Sequence, residues 1–151
     1  MTIPAEPAGG NVTKIIKAKT GSKFEELGSY SRVVAVGDLI FVSNTAGRNP
    51  RTQTIPDDVA EQTHQVFANV ETALAAVDAA LGDVVSSKVF VQDPGDIDTV
   101  MTIVGEKFRG IDPASTVTCP PLGSTVYKVE IEVTAYRGAA VATVERIMIR
   151  S

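Results

Sequence analysis

The chain has 151 residues, 44% of them hydrophobic and 21% charged, which fits one globular domain with its own core and excludes a disordered chain. A net charge of −4 and a pI of about 5.0 argue against a nucleic-acid partner, because binding phosphates needs a basic surface. The single cysteine, Cys119, and the single histidine, His64, exclude an internal disulfide and zinc sites built from several cysteines or histidines.

The sequence shows no signal for membrane insertion or secretion. No apolar run approaches the roughly 18 residues that a membrane helix needs. Residues 1–14 lack the basic start and apolar centre of a signal peptide. We therefore expect a cytoplasmic protein without a membrane partner. Residues 1–11 hold two prolines and a Gly-Gly pair, so they are expected to form a flexible arm in front of a single domain.

The first half of the domain is predicted to be rich in strands. In chain order we expect a strand within 12–19, a loop over 20–29, strands at 30–36 and 39–43, and a loop over 44–56. Gly37-Asp38 between the second and third strands is a hairpin signal. The unbroken apolar run at 39–42 predicts burial on both faces of its strand.

A long helix is the clearest predicted element. Asp58 is a capping residue, and Glu61 is its capping-box partner three positions on. An apolar stripe at helical spacing continues from Val59 to Leu81, and Gly82 is placed to end the helix. A strand over 83–92, a turn and a second helix from Ile97 to Phe108 follow, with Gly110 and Pro113 as its stop signals.

The stretch from Ser115 to Tyr136 is predicted to form a short strand, a Pro-Pro-Leu-Gly turn and a long strand. The long strand alternates, so that its apolar side chains share one face while Lys128, Glu130 and Glu132 share the other. Residues 137–151 are a C-terminal extension, for which an edge strand and a short helix both remain open.

The predicted order ββαβαββ indicates an α+β fold with one mixed sheet and two helices on one face. Strand hairpins are expected at both ends of this order. Since no third long helix is available to cover the other sheet face, self-association through that face is expected.

Several polar residues are candidates for chemistry. Glu130 or Glu132 fits a general acid/base if its face lines a cleft, although a solvated face is the favoured reading. Tyr30 either presents its hydroxyl to a cleft or packs at a rim. The group Ser43-Asn44-Thr45 ends a strand, and binding of a small anion competes with an ordinary strand terminus.

Three further candidates receive less weight. Arg48 and Arg51 lie in the following loop and suit an anionic ligand, although loop arginines are more often solvated. Cys119 is expected to be a buried structural cysteine because no base or helix N-terminus that would activate its thiol is visible in the sequence. His64 is expected at the surface of the long helix.

Four segments together resemble the Rid family, also called YjgF or L-PSP, the reactive intermediate deaminases. They are GSYSRVVAVGDLIFVSNTAG, DVAEQTHQVFANVETALAAVDAALGDVVSSKVFVQD, DPASTV and VEIEVTAY, and the similarity spans residues 28–136. The resemblance implies a chorismate-mutase-like fold and a homotrimer with small-molecule clefts between subunits. It also implies hydrolysis of enamines and imines to keto acids and ammonia without a metal or organic cofactor.

Matching the family residue by residue gives both agreement and departure. Tyr30 and Ser43 match family residues that line the cleft, and Glu130 matches the glutamate thought to hold the attacking water. The family arginine that binds the substrate carboxylate is Ser115 here, and the family cysteine two positions later is Val117. Further along the motifs, Gly95 stands where the family has asparagine, and Asn44-Thr45 where it has Gly-Gln.

These departures leave three functional hypotheses. The first is hydrolysis of an atypical imine or enamine, with Glu130 holding water, Tyr30, Ser43 and Asn44 lining the cleft beside Ser115 and Val117, and Arg48 as a replacement anchor. The second is a non-catalytic trimer that binds a small-molecule ligand in the same cleft. The third, an endoribonuclease or translation inhibitor, is disfavoured by the acidic pI.

Overall fold

The computed structural model describes residues 2–4 and 13–151, so most of the arm predicted over 1–11 lies outside the described residues. In these described residues, six strands and three α-helices follow one another. In order they are β1 (Ile15–Ala18), α1 (Lys23–Gly28), β2 (Val33–Val36), β3 (Leu39–Ala46), α2 (Val59–Ala75), β4 (Val84–Val91), α3 (Ile97–Lys107), β5 (Ala114–Thr118) and β6 (Val129–Tyr136).

The strands form one mixed sheet in the order β1-β2-β3-β6-β4-β5. All neighbours are antiparallel except β4 and β5, which are parallel. The predicted β2–β3 hairpin is confirmed, with Val36 opposite Leu39. The predicted hairpin of β5 and β6 is wrong, because β6 inserts between β3 and β4 and leaves β5 at the sheet edge. The α+β class with a mixed sheet is confirmed.

One face of the sheet packs against α2 and α3. The alternation of β6 is confirmed, since Val129, Ile131, Val133 and Ala135 are at most 2% exposed. Phe67 of α2 meets Phe108 after α3 edge to face, with ring centroids 5.4 Å apart. We call the other side, which neither α2 nor α3 covers, the outer face; it carries Phe41 and Tyr136, which are 45% and 52% exposed.

The polar core residue Gln62 of α2 fixes the entry into β6. Its side chain is fully buried, and its Oε1 accepts hydrogen bonds from the backbone of Lys128 at 2.7 Å and of Val129 at 3.3 Å. Its Nε2 donates to the carbonyls of Pro56 and Val126. Every polar atom of this side chain is thereby satisfied, and the first residues of the long strand are held against the helix.

Helix α2 begins as predicted but ends earlier. The Asp58 side chain accepts a hydrogen bond from the Glu61 backbone at 2.9 Å. The helix stops at Ala75 rather than continuing to Leu81, and the chain reverses through a turn in which Asp78 has a φ of 57°. The apolar stripe misleads because Val77 in this turn still packs into the core, 1% exposed.

Two predictions for the first half need correction. The loop expected over 20–29 contains α1, whose Ser22 cap accepts a hydrogen bond from the Phe24 backbone. Strand β3 continues to Ala46, and the run at 39–42 is not buried on both faces of this chain. Leu39 and Phe41 are exposed while Ile40 and Val42 are buried, because the strand alternates like its neighbours.

The C-terminal extension is neither a strand nor an α-helix. A single 3-10 turn spans Ala139–Val141, and residues 142–151 have no regular structure. Its attachment comes from Arg137, which pairs with Asp38 at 2.8 Å, and from Arg146, which pairs with Asp112 at 2.5 Å. Within residues 2–4 and 13–151, no helix is long and apolar enough to cross a membrane.

Candidate functional site

The outer face of the sheet carries Glu130 on a central strand, near the start of β6. Glu130 lies on β6 between Ala46 of β3 and Phe90 of β4, and it is half-buried. Its Oε2 accepts a hydrogen bond from Asn44 Nδ2 at 2.5 Å. Burial raises the pKa of the Glu130 carboxyl, and the nearby charge of Arg32 offsets only part of that rise.

A break in strand pairing places Asn44 beside Glu130. The register between β3 and β6 shifts between Val42 and Thr45, so Ser43 and Asn44 bulge out of the ladder. Thr45 remains on the core side, 3% exposed, while Asn44 is exposed. The bulge thus directs the Asn44 amide to the carboxylate.

Arg32 holds this bulge from the neighbouring strand. Its Nη1 donates to the Asn44 carbonyl at 2.9 Å and to Thr45 Oγ1 at 3.4 Å. Its Nε meets Glu25 Oε2 at 3.4 Å, and its guanidinium carbon lies 5.7 Å from the centroid of the Tyr30 ring. The side chain is 16% exposed, so this cation is largely withdrawn from water yet remains accessible.

Glu25 is the buried counter-charge of Arg32. It lies on α1, is 1% exposed, and accepts hydrogen bonds from the Thr20 backbone at 2.8 Å and the Thr20 hydroxyl at 2.7 Å. Burial raises its pKa, but the Thr20 hydrogen bonds and the Arg32 charge outweigh burial, so the pKa is lowered overall. Glu25 therefore stays ionised and keeps Arg32 in place.

Three of the residues predicted for the site gather around Glu130. Asn44 contacts it directly. Tyr30 stacks on Arg32 and is 37% exposed. Ser43 lies in the bulge, where its hydroxyl donates to the Ser31 carbonyl at 2.7 Å and so fixes the crossing of the two strands.

Ser115 and Val117 are not brought to Glu130 within one chain. The parallel register sets Ser115 beside Ser87 and Val117 beside Val89, and both β4 residues belong to the core-facing side. Ser87 Oγ donates to Ser115 Oγ at 3.1 Å. Both predicted residues thus lie on the opposite face of the sheet from Glu130.

Arg48 serves its own loop. Its Nη1 donates to the Gln53 carbonyl at 2.7 Å and its Nη2 to the Tyr127 hydroxyl at 3.1 Å. Both terminal nitrogens therefore brace the loop that follows β3. Of the residues given little weight, His64 is exposed as predicted, and Cys119 is half-buried rather than buried.

Sequence reasoning missed Arg32 and Glu25. Glu25 follows Ser22 by three residues, and this capping-box spacing indicates a helix that begins after Ser22, as α1 does. Arg32 directly precedes the alternating strand β2, two positions before Val34, and this places it on the outer face. The sequence therefore indicates the position of each residue, but it does not indicate that Arg32 and Glu25 contact each other.

The outer face around Glu130 is open in the single chain. In the described part of the chain, two surface depressions of about 390 and 380 Å³ lie elsewhere, one beside Glu25 and Glu26 and the other beside Asp38 and Arg137. Among the same residues, no three His, Cys, Asp or Glu side chains gather closely enough to hold a metal ion.

Comparisons with known proteins place this geometry in context. A family model described as "Endoribonuclease L-PSP" matches residues 20–137. A 2-iminobutanoate/2-iminopropanoate deaminase of Dermatophagoides farinae is 30% identical, covering 72% of this chain and 85% of its own. The protein of that name from Rattus norvegicus is 34% identical, covering 74% and 82%.

Solved structures give the same picture. A Mycobacterium tuberculosis member of the YjgF/YER057c/UK114 family superposes with a TM-score of 0.75 and 31% identity, covering 82% of this chain and 99% of its own. The YjgF gene product of Escherichia coli gives a TM-score of 0.70 and 31% identity, covering 80% and 94%.

Proposed function

The chain belongs to the L-PSP family, also called Rid or YjgF, and we propose that it hydrolyses a small imine or enamine at Glu130. The observation that carries the proposal is the half-buried Glu130 carboxyl, whose pKa is raised by burial and which Asn44 orients at 2.5 Å. A carboxyl with a raised pKa is suited to exchange protons near neutral pH. Relatives that carry the deaminase name support the same reaction class.

The proposed reaction uses one water molecule. Glu130 accepts a proton from the water as the water oxygen bonds to the imine carbon, and it passes this proton to the imine nitrogen, which gives a carbinolamine. Glu130 then carries the hydroxyl proton of the carbinolamine to the same nitrogen, the carbon–nitrogen bond breaks, and a carbonyl compound and ammonia are left. An enamine first takes a proton on carbon to become the imine. The Asn44 amide keeps the carboxylate turned toward the water throughout.

We propose that a homotrimer completes the site. Phe41 and Tyr136 are 45% and 52% exposed on the outer face, and a second copy packed there would remove them from water and enclose Glu130. In such an assembly β5 of one copy, with Ser115 and Val117, would line the cleft of the next. Light scattering is the direct test, and a monomer in solution would overturn this arrangement.

A second candidate is a binding protein that uses the same cleft without turnover. It is favoured by Ser115, which offers a hydroxyl where the family resemblance implies a carboxylate-binding guanidinium. A small molecule that binds in this cleft should raise the midpoint temperature of thermal unfolding, and Tyr30→Phe should reduce that rise.

The deciding experiment generates imines with an amino-acid oxidase and traps the imine that remains with semicarbazide. The wild-type protein should lower the yield of trapped imine for at least one amino acid. Glu130→Gln should abolish this effect, and Glu132→Gln, which changes a carboxylate on the same strand, should not. Equal rates for wild type and Glu130→Gln would reject the hydrolase and leave the binding protein.

A further inference from the structure

We propose that Arg32 binds an anionic group of the ligand, such as a carboxylate, beside Glu130 on the same chain. The inference rests on the proposed function for the location of the ligand. It assigns the role of anion anchor to Arg32, because neither Ser115 nor Arg48 is suited to it. Ser115 carries no charge, and Arg48 spends both terminal nitrogens on Gln53 and Tyr127.

The hydrogen bonds of Arg32 leave one nitrogen unused. Its Nε faces Glu25, and its Nη1 donates to the Asn44 carbonyl and to Thr45. Among the residues that the structure describes, Nη2 donates no hydrogen bond. By contrast, Arg137 directs both Nη1 and Nη2 to its own chain. A guanidinium fixed by three contacts with a free N–H edge is preorganised for an additional acceptor.

The surroundings of Arg32 favour an anion over a neutral group. Its side chain is 16% exposed, so water screens its charge less than that of a surface arginine. Glu25 meets the guanidinium at Nε, at 3.4 Å, and the hydrogen bonds of the described residues leave Nη2 without an acceptor. The Tyr30 ring lies against the guanidinium, with its centroid 5.7 Å from Arg32 Cζ, and its hydroxyl donates to no acceptor among the described residues, so it is available as a further donor.

Asn44 sets the spacing between the anchor and the reacting group. Its backbone carbonyl accepts from Arg32, and its side-chain amide donates to Glu130. The Arg32 guanidinium and the Glu130 carboxyl therefore both contact Asn44, and the width of this one residue sets the distance between them. A ligand that spans this distance is short, with its anionic group on or near the carbon that water attacks. The small 2-imino acids in the names of the relatives are of this kind, and hydrolysis converts such a compound into a 2-oxo acid.

The test compares two ligands that differ in charge alone. Pyruvate is a small 2-oxo acid, and pyruvamide is the uncharged amide of the same skeleton. Calorimetric or NMR titration of the wild-type protein should show pyruvate binding more tightly. Arg32→Met should weaken pyruvate binding by about tenfold or more, the factor expected for a lost charge-assisted hydrogen bond. It should leave pyruvamide unchanged. Lys88→Met, which removes an exposed cation on the same face, should change neither.

A direct readout covers the case in which Arg32→Met fails to fold. In protein labelled with ¹⁵N-arginine, pyruvate should shift the Nε–H signal of Arg32, identified by its loss in Arg32→Lys, and pyruvamide should not. An unmoved Arg32 signal during pyruvate binding overturns the inference. The inference is also overturned if a folded Arg32→Met variant loses affinity for pyruvate and for pyruvamide by the same factor.

The same experiments separate this inference from the proposed function. If no imine is hydrolysed but pyruvate binding depends on Arg32, the anchor stands and the hydrolase fails. If Glu130→Gln abolishes hydrolysis while pyruvate binding ignores Arg32, the hydrolase stands and the anchor fails.

Discussion

Glu130 and Glu132 lie two residues apart on the same face of β6, yet their surroundings differ. Glu130 is half-buried, accepts from Asn44 and lies near Arg32, and burial raises its pKa. The Glu132 side chain is 41% exposed and pairs with the Lys88 ammonium at 3.9 Å. The alternation of the strand places both carboxylates on one face, but contacts with the neighbouring strands determine which of them is half-buried and held by a hydrogen bond.

The largest expected effect is on turnover. We expect Glu130→Gln to lower kcat/KM by about 10²–10⁴-fold, because the variant removes a positioned proton acceptor while keeping the shape of the side chain. Glu132→Gln is the matched control and should stay within about twofold, as its exposed carboxylate contacts no reacting group. Steady-state assays on one imine measure both, and similar losses in the two variants would erase the distinction between the two carboxylates.

The next effect concerns the support beneath Glu130. We expect Glu25→Ala to lower the free energy of unfolding by about 3 kcal/mol, since it leaves Arg32 without its buried partner. Asp112→Ala breaks the pair with Arg146, whose partners are each 60% exposed, and should cost about 0–1 kcal/mol. Urea unfolding at neutral pH compares the two.

The Glu25 contribution also has a defined dependence on pH. The pKa of Glu25 is lowered in the folded protein, so its stabilisation is fully present above the usual carboxyl pKa of about 4.3. It is lost as the pH falls through the lowered folded value. Repeating the unfolding series at acid pH should therefore bring wild type and Glu25→Ala closer together, and a constant gap would contradict the assigned cause.

A smaller effect is expected from the amide that touches Glu130. Asn44→Ala removes a hydrogen bond to the charged carboxylate, which raises the pKa of Glu130 further. Because hydrolysis needs the carboxylate, kcat/KM should fall as the pH drops through that pKa, and Asn44→Ala should move this fall to higher pH. We expect a loss of about tenfold at pH 7. A pH–rate profile unchanged in position would show that Asn44 does not act through Glu130.

The smallest expected effect is on stability at neutral pH. A carboxyl whose folded pKa is raised stabilises the protein below its unfolded pKa, and this contribution is lost as the pH rises through the folded value. Glu130→Gln should therefore be more stable than wild type at pH 7, by about 1 kcal/mol. Glu132→Gln should change stability by less than about 0.5 kcal/mol. Thermal unfolding of the three proteins is sufficient, and a destabilised Glu130→Gln would argue against burial as the cause of the shift.

Local patterns in the sequence were sufficient for the strands, for the two longer helices and for one face of the sheet, but not for α1. The alternation from Val129 to Ala135 predicted the buried face of β6, and Asp58 with Glu61 predicted the start of α2. The order of strands was beyond such patterns. No local pattern around Ala114–Thr118 indicates that this strand pairs with β4 rather than with β6. Strand pairing depends on which strand edges are still open once the rest of the chain has packed.

The candidate site was predictable in part for the same reason. Glu130, Asn44, Tyr30 and Ser43 were identified from the strand pattern and the family resemblance. Arg32 and Glu25 were not, because neither residue is unusual by itself. Their meaning comes from a contact between a short helix and a strand that only the folded chain shows. Ser115 and Val117 were placed in the site by sequence match alone, and their register with Ser87 and Val89 sets them on the opposite face of the sheet.

The central position of β6 has a consequence for how the protein is made. Strands β1 to β3 are synthesised early, and β4 with β5 later, but the two groups share no direct pairing and are joined only by β6, the last strand of the chain. Long-range pairing of this kind forms slowly. The nascent chain therefore emerges from the ribosome with two unpaired sheet edges, on β3 and on β4, that are satisfied only when residues 129–136 arrive. During that interval the open edges of β3 and β4 are free to pair with other chains, so aggregation is most favoured then.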